Sequence, residues 1–432
     1  MSLVTELVCV RCGRPAAPAG PWTCPDCGPD EGILDVRYDL ARARRTLTRE
    51  SLAARPAAHW RYRELLPLED AYVPAGGAPL PVGAGLSQIG WTPVIDAPRL
   101  AAALGVARLR LKDEGRNASG SFKDRASSVG VAHAAQLGRG EIACASTGNA
   151  ASSLACCAAA AGMPCNIFVP RQIPEAKLAQ LLAYGARVFR VGGTYADAYQ
   201  LCSRAAARFG WYNRNCAINP YLVEGKKTAG CEIAEQCADD PPDWVAVSVG
   251  DGCTVAGVHK GLRQMAEAGW IGWSARMLGV QAAGVAPVAE AWGKAAAGAA
   301  LGTLTGRELT PGGDTYADSI NCPAPRNWRK AVLAVRESNG AFVTVRDEEI
   351  RGAVRLAGRL AGVFAEPAAA AAVAGVAAAV RDRVISDTAH VLAIVTGSGL
   401  KDVAGAMRAV GGPHDVRPDP GEIERIVLAN TR

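Results

Sequence analysis

From about residue 107 onward the chain repeats one rhythm: a strand, a loop, then a helical stretch. The expected strands are 108–112, 141–145, 165–169, 187–191, 244–248, 276–281, 341–345 and 390–395. The expected helices are 121–137, 149–161, 175–184, 194–209, 226–237, 254–268, 347–361, 367–380 and 400–409. Strands that alternate with helices in this way build a mainly parallel sheet covered on both faces, so the fold class is α/β. Ligands of such sheets bind where strands end and helices begin. The turns at those points are where chemistry is expected.

With 432 residues, the chain has room for two or three domains. A hydrophobic fraction of 49% and a charged fraction of 20% exclude a disordered tail or a coiled rod. The net charge of +6 is a weak field over this length and argues for no nucleic-acid partner. No window of about 20 apolar residues occurs, so no transmembrane helix or membrane partner is expected. The apolar run Ala365 to Val380 is short and interrupted by Glu366 and Pro367. No basic segment followed by a hydrophobic one opens the chain, so no signal peptide is expected and the cytoplasm is the expected compartment. The 14 Cys then read as reduced thiols.

Four of those thiols cluster as C-x2-C-G, a Pro/Gly linker, and C-x2-C-G: Cys9, Cys12, Cys24 and Cys27. Two such knuckles place four thiolates around one tetrahedral ion, and zinc is expected ahead of iron or a metal-free remnant. With all four positions filled by protein, the site is structural. It defines a ribbon over residues 1–32. Its only bases, Arg11 and Arg14, are offset by Asp26, Asp30 and Glu31, which disfavours nucleic-acid binding. The other ten Cys sit among apolar neighbours and read as small hydrophobes.

Four turns stand out. After strand 108–112 comes Lys112-Asp113-Glu114-Gly115-Arg116-Asn117-Ala118-Ser119-Gly120-Ser121-Phe122-Lys123-Asp124-Arg125. Ser119 or Ser121 is expected to cap the next helix, which puts Lys123 in its first turn. The helix dipole disfavours a cation there, so this amine is a candidate for Schiff-base chemistry. The alternative is a solvated Lys beside an Asp. After strand 141–145, Ser146-Thr147-Gly148-Asn149 reads as an anion cradle or as ordinary N-capping. After strand 244–248, Gly250-Asp251-Gly252-Cys253-Thr254 suits a phosphate held by backbone amides. It matches neither a dinucleotide fingerprint nor a P-loop. After strand 390–395 comes Thr396-Gly397-Ser398-Gly399-Leu400-Lys401-Asp402. One phosphorylated aromatic ligand attached through a Lys would use all four turns together, and pyridoxal 5'-phosphate fits that description. The chain has nine Lys against 38 Arg, so a Lys at such a turn is informative.

Ser121-Phe122-Lys123-Asp124-Arg125, Ser146-Thr147-Gly148-Asn149 and Thr396-Gly397-Ser398-Gly399-Leu400-Lys401-Asp402 together resemble the threonine synthase family. This family belongs to the fold type II, tryptophan-synthase-β-like pyridoxal-phosphate enzymes. Asn219-Pro220-Tyr221-Leu222-Val223-Glu224-Gly225-Lys226-Lys227-Thr228 and Ala365-Glu366-Pro367-Ala368 extend the resemblance over nearly the whole chain. It implies a large cofactor-binding domain from 33–130 and 245–432, and a smaller α/β domain over 131–244. Lys123 resembles the Schiff-base lysine. Asn149 would hydrogen-bond the cofactor's phenolic oxygen. Gly250, Asp251, Gly252, Cys253 and Thr254 would hold its phosphate, and Thr396 would face its pyridine nitrogen. Ser146 and Thr147 would bind the substrate carboxylate. Lys112, Asn117, Ser119 and Arg125 would meet a substrate phosphate.

The implied reaction converts O-phospho-L-homoserine and water to L-threonine and phosphate, in a homodimer. Several residues depart from the family pattern. An acid stands in the phosphate loop at Asp251, which can point away and leave the binding to its neighbours' backbone, and an acid is missing before Thr92. Asn117-Ala118-Ser119-Gly120 replaces a Pro/Thr version. These positions leave room for β-replacement or β-elimination on O-phosphoserine or a similar amino acid, as in a cysteate-synthase-like enzyme, or for threonine dehydration.

Overall fold

The computed structural model describes residues 2–20, 22–74, 84–171, 173, 175–215, 218–309 and 313–429. Residues 75–83, in a Pro- and Gly-rich stretch, lie outside them, as does Cys216. The chain begins with β1 (Val4–Cys9), β2 (Pro15–Ala16), the one-turn helix α1 (Gly28–Glu31) and β3 (Leu34–Tyr38). Short helices α2 (Leu40–Thr46) and α3 (Arg49–Ala53) lead to β4 (Val94–Asp96), α4 (Pro98–Leu104) and β5 (Arg108–Asp113). Next come α5 (Lys123–Gln136), β6 (Ile142–Ala145), α6 (Asn149–Ala160), β7 (Cys165–Pro170), α7 (Glu175–Ala183), β8 (Arg187–Val191), α8 (Tyr195–Phe209), β9 (Tyr212–Asn213) and α9 (Tyr221–Gln236). The remainder holds β10 (Trp244–Ser248), α10 (Cys253–Glu267), β11 (Arg276–Ala282), α11 (Pro287–Ala296), α12 (Trp328–Glu337), β12 (Ala341–Val345) and α13 (Asp347–Ala361). It ends with α14 (Pro367–Arg381), β13 (His390–Val395), α15 (Val403–Ala409) and α16 (Pro420–Ala429).

Three sheets result. The large one has the order β12-β11-β10-β13-β5-β4, and only the edge strand β4 runs antiparallel. The small one, β8-β7-β6-β9, is parallel throughout. The third, β2-β1-β3, is antiparallel and belongs to the N-terminal segment. Parallel strands need crossover helices, and the apolar faces of both larger sheets are covered by them. The Ala-rich helix α14 is apolar all round because it is buried nearly all round against the large sheet. Among the described residues no helix is long and apolar enough to cross a membrane.

The strands of the repeated pattern fall where the sequence places them, to within a residue at either end. The boundaries between units differ. β3 pairs with β1, with Leu34 opposite Cys9, so the N-terminal sheet runs on to Tyr38 and does not stop at residue 32. α9 begins at Tyr221, five residues earlier than expected, and packs in the core of the large sheet. It lies pressed between α5 and α10: a Cβ at Gly225 would sit 1.9 Å from the Arg125 carbonyl oxygen, so only glycine permits that approach.

Candidate active site

Lys123 opens α5, and backbone hydrogen bonds fix where that helix starts. Phe122 N donates to the Thr396 carbonyl at 2.8 Å, and Ser398 N to the Gly120 carbonyl at 3.0 Å. The turn before α5 and the turn after β13 therefore run side by side. Glu366 N donates to the Gly397 carbonyl at 3.0 Å, which adds the start of α14 to the same floor. These three segments are distant in sequence, and two of them meet because β5 and β13 are neighbours in the large sheet. Neither Ser119 nor Ser121 caps α5. The cap position is Phe122, without a side-chain bond. Ser119 instead donates from N and Oγ to the Asp124 carboxylate, and the buried Ser121 Oγ has no partner among the described residues.

Asn149 is the first residue of α6, after Gly148, and again no side chain caps the helix. Ser146 Oγ accepts from Gly148 N at 3.2 Å, and Thr147 stands between them. Asn149 Nδ2 reaches out of the small-sheet unit to Glu366, 2.8 Å from Oε1 and 3.0 Å from Oε2. Burial pushes the Glu366 carboxyl above its usual range, while the Asn149 hydrogen bond and the charges of Lys123, Lys401 and Lys177 oppose that shift. Glu366, Lys177 and Lys401 lie close enough to act on one another, and sequence reasoning gave none of them a role. The signal for Glu366 was its place immediately before Pro367 at a helix start, where a carboxylate is normally a cap. Here it caps nothing and faces the site. Lys401 Nζ donates to Ser152 Oγ at 2.8 Å and Gln180 Oε1 at 2.7 Å, and Lys177 pairs with Asp318. Each of these lysines joins the small-sheet unit to the large one.

The loop from Gly250 to Thr254 runs from β10 into α10. Gly252 has φ +98°, and a Cβ there would lie 2.7 Å from the Asn327 carbonyl oxygen, so glycine is required on both counts. No side chain caps α10. Its first amides, with the Thr254 hydroxyl, can meet a phosphate. Asp251 takes no part in that. Its carboxylate accepts from Arg326 N at 2.7 Å, from Asn327 Nδ2 at 2.8 Å and from Cys253 Sγ at 2.9 Å. The Asp251 side chain thus braces the loop. The Cys253 sulfur belongs to the same brace, 2.9 Å from Asn327 Nδ2.

The four residues expected at a substrate phosphate are placed elsewhere. Lys112 Nζ donates to the Thr92 carbonyl, Glu232 Oε2 and Gln236 Oε1, each at 2.9 Å. Arg125 clamps Glu114 at 2.7 and 2.8 Å and Glu232 at 2.6 and 2.7 Å. Asn117 donates to Glu114 at 2.9 Å, and Ser119 is committed to Asp124. All four side chains of the ion cluster are fully buried and balance two positive against two negative charges. Buried cations survive only with such partners, and these have none to spare for a ligand. Glu232 also accepts from the backbone of Trp91 and Thr92.

Residues 86–397 match the sequence family described as pyridoxal-phosphate dependent enzyme. The threonine synthase of Methanocaldococcus jannaschii is 34% identical over 428 residues, 97% of this chain and 98% of that protein. The chain belongs to the threonine synthase family. The threonine synthase of Methanosarcina acetivorans is 37% identical over 399 residues, 92% of each chain. Among solved structures, maize serine racemase superposes with a TM-score of 0.60 at 21% identity, covering 79% of this chain and 92% of that one. The processed form of threonine deaminase isoform 2 from Solanum lycopersicum gives 0.60 at 22% identity, covering 74% and 88%. These two show the same fold type II architecture.

The N-terminal ribbon of this threonine synthase family member brings Cys9, Cys12, Cys24 and Cys27 together, with all four sulfurs within 4.8 Å of one another. Cys9 and Cys27 stand 3.8 Å apart, and Cys12 and Cys24 stand 3.7 Å apart. Zinc–sulfur bonds of about 2.3 Å in a tetrahedron demand sulfur–sulfur edges of about 3.8 Å, so the donor set fits such an ion. Of the other ten cysteines, seven are buried, Cys156 and Cys322 are half-buried, and Cys216 is not described.

Proposed function

We propose that this chain converts O-phospho-L-homoserine and water to L-threonine and inorganic phosphate, with pyridoxal 5'-phosphate bound over the floor formed by residues 120–123, 364–366 and 396–399. The observation that carries the reading is the convergence of Lys123, Thr396, Asn149 and Glu366, with Ser319 meeting Asn149 and Glu366 on one side and lying against Gly250, ahead of the uncapped start of α10, on the other. When bound, the cofactor links to an amine through its aldehyde carbon and draws electrons from the substrate's Cα, so that protons at Cα and Cβ become removable.

Each residue then has a task at a stated atom. Lys123 would hold the cofactor's aldehyde carbon, and its amine, once free, could take the substrate's Cα proton and return it. Asn149 has two N–H groups, so it can keep one on Glu366 and present the other to the ring's phenolic oxygen. Thr396 faces the ring nitrogen with a neutral hydroxyl. The amides of Gly250, Gly252, Cys253 and Thr254 hold the cofactor phosphate. Ser146, Thr147 and the first amides of α6 take the substrate carboxylate. Lys401 and Lys177 supply the positive charge that receives the leaving phosphate, a role the buried Lys112 and Arg125 do not fill. The net change breaks the Cγ–O bond and one Cβ–H bond, delivers hydroxide from water to Cβ and a proton to Cγ, restores the proton at Cα, and leaves water's other proton on the released phosphate.

The reading includes zinc in the four-thiolate site, a homodimeric assembly and a cytoplasmic location. A substrate panel tests it. O-Phosphohomoserine, O-phosphoserine with sulfite or sulfide, and threonine would be compared for released phosphate, 2-oxobutyrate and new amino acids. Threonine and phosphate in equal amounts from phosphohomoserine support the reading. No phosphate from phosphohomoserine, with turnover of phosphoserine, transfers the activity to β-replacement.

A further inference from the structure

The ribbon and the loop after β10 touch the same short segment of chain, residues 326–329. From the ribbon side, Glu31, at the end of α1 and four residues after Cys27, accepts from Arg329 Nη1 at 2.9 Å and from Gly306 N at 2.6 Å. The Arg329 side chain is 6% exposed and that of Glu31 16%, so water screens this pair little. Asp30 adds a looser, exposed contact to Arg326 at 3.3 Å. From the loop side, Arg326 N and Asn327 Nδ2 hold the two oxygens of Asp251, and Asn327 also meets Cys253. A second connection runs in parallel. Asp35 on β3 accepts from Lys260 on α10 at 2.9 Å and from Lys330 on α12 at 3.3 Å. The ribbon thus grips both helices that follow the two halves of the loop brace.

We propose that the four-thiolate ribbon sets the affinity of the Gly250–Thr254 loop for the phosphate of the cofactor, through Glu31, Arg329 and the Asp251 brace. The proposal rests on the functional reading above, in which that loop holds a phosphate and the ribbon holds a metal ion. A filled ribbon fixes the one-turn helix α1, which starts next to Cys27. Helix α1 fixes Glu31, and Glu31 holds residues 326–329 against Asp251. An emptied ribbon releases α1, because a four-residue helix has no stability of its own. The brace then loses its backing and the loop samples geometries that do not converge on an anion. Coupling between two sites is reciprocal, so a bound cofactor also tightens the binding of the metal by the same factor.

The test is an equilibrium titration of the full chain with pyridoxal 5'-phosphate, followed by its visible absorbance, alongside metal content and circular dichroism. Four forms are compared: native, chelator-stripped, Glu31→Ala, and stripped Glu31→Ala. Stripping is expected to weaken cofactor binding by about tenfold, a typical coupling between sites. Glu31→Ala, with its metal retained, should weaken binding to a similar degree, and stripping this variant should add little further loss. Unchanged affinity in the stripped protein or in Glu31→Ala, with metal loss and fold verified, overturns the proposal. If stripping unfolds the chain, the Glu31→Ala form with its metal in place decides alone. A chain that binds no cofactor in any form sinks the functional reading and this proposal together. A chain isolated without metal sinks the zinc assignment alone, and Glu31→Ala then decides whether the brace governs the loop.

Discussion

Asn149 Nδ2 lies 2.8 Å from Oε1 and 3.0 Å from Oε2 of Glu366, and this contact joins the first residue of α6 to the residue before α14. One end sits in the small-sheet unit and the other under the large sheet. Asn149→Ala removes the neutral donor that most opposes the effect of burial on Glu366. A buried carboxylate left without it costs about 1–3 kcal/mol. Thermal unfolding should report that loss. A cofactor titration should show weakened binding from the same variant, whereas a purely structural role for Asn149 would leave binding intact.

Lys123→Ala should yield a folded protein that no longer forms the visible band given by the native chain with pyridoxal 5'-phosphate. A persistent band of full intensity would remove Lys123 from the role given to it here.

Lys401→Met takes a half-buried cation out of the cleft and cuts its bonds to Ser152 and Gln180. The expected signature is a KM for the phosphorylated substrate raised by about tenfold or more, with kcat changed less, because charge that meets the ground-state phosphate contributes mainly to binding. An unchanged KM would return the search for the phosphate site to other residues.

Arg125→Met leaves Glu114 and Glu232 buried without their shared cation. Breaking such a cluster costs about 3–5 kcal/mol. Denaturant unfolding should show that full loss. A loss under about 1 kcal/mol would mean that the cluster relaxes around the gap.

Burial pulls His133 down to about 4, and its Nδ1 lies 2.9 Å from the Tyr212 hydroxyl. A depressed folded value means that the unfolded chain binds the proton first as pH falls below about 6.5. The stability tied to neutral His133 is therefore complete above that pH and is lost as pH falls toward 4. Between about pH 7 and about pH 4.5 the native chain should lose about 2–3 kcal/mol through this residue. His133→Gln, followed by urea unfolding at both pH values, should lack that component of the acid sensitivity. His59, pulled down to about 3 by burial and by the nearby Arg125 charge, adds to the acid loss in both proteins.

The alternation of strand and helix was legible because buried parallel strands are continuous apolar runs, as in β6, β10 and β13, while β5 and β8 keep the strand rhythm with charged residues between apolar ones. The short strands β4 and β9 carry too few residues to show a period. Lys123 and Asn149 were legible because each opens a helix that follows a strand and a Gly/hydroxyl turn. Lys112 and Arg125 were misplaced for a physical reason. A sequence shows a cation near a turn, but not the two carboxylates, Glu114 and Glu232, that fold against it, and Glu232 comes from a helix far along the chain. The sequence allowed for Asp251 turning away from a phosphate but did not show what it turns toward, since its partners Arg326 and Asn327 lie in a loop without regular structure.

In the large sheet, β13 lies between β10 and β5, so a strand near the end of the chain fills the middle of the sheet. During synthesis at about 5–20 residues per second, β5 waits on the order of 15 to 60 s for that neighbour. The parallel sheet of β6 to β9 has all its strands well before then. A nascent chain thus emerges with one unit complete and the other open along its centre, its Val- and Leu-rich edges unpaired. Lys123 gains its floor only when the Thr396 turn leaves the ribosome. Until then the open edges invite aggregation. Afterwards a single late event creates both the sheet and the site.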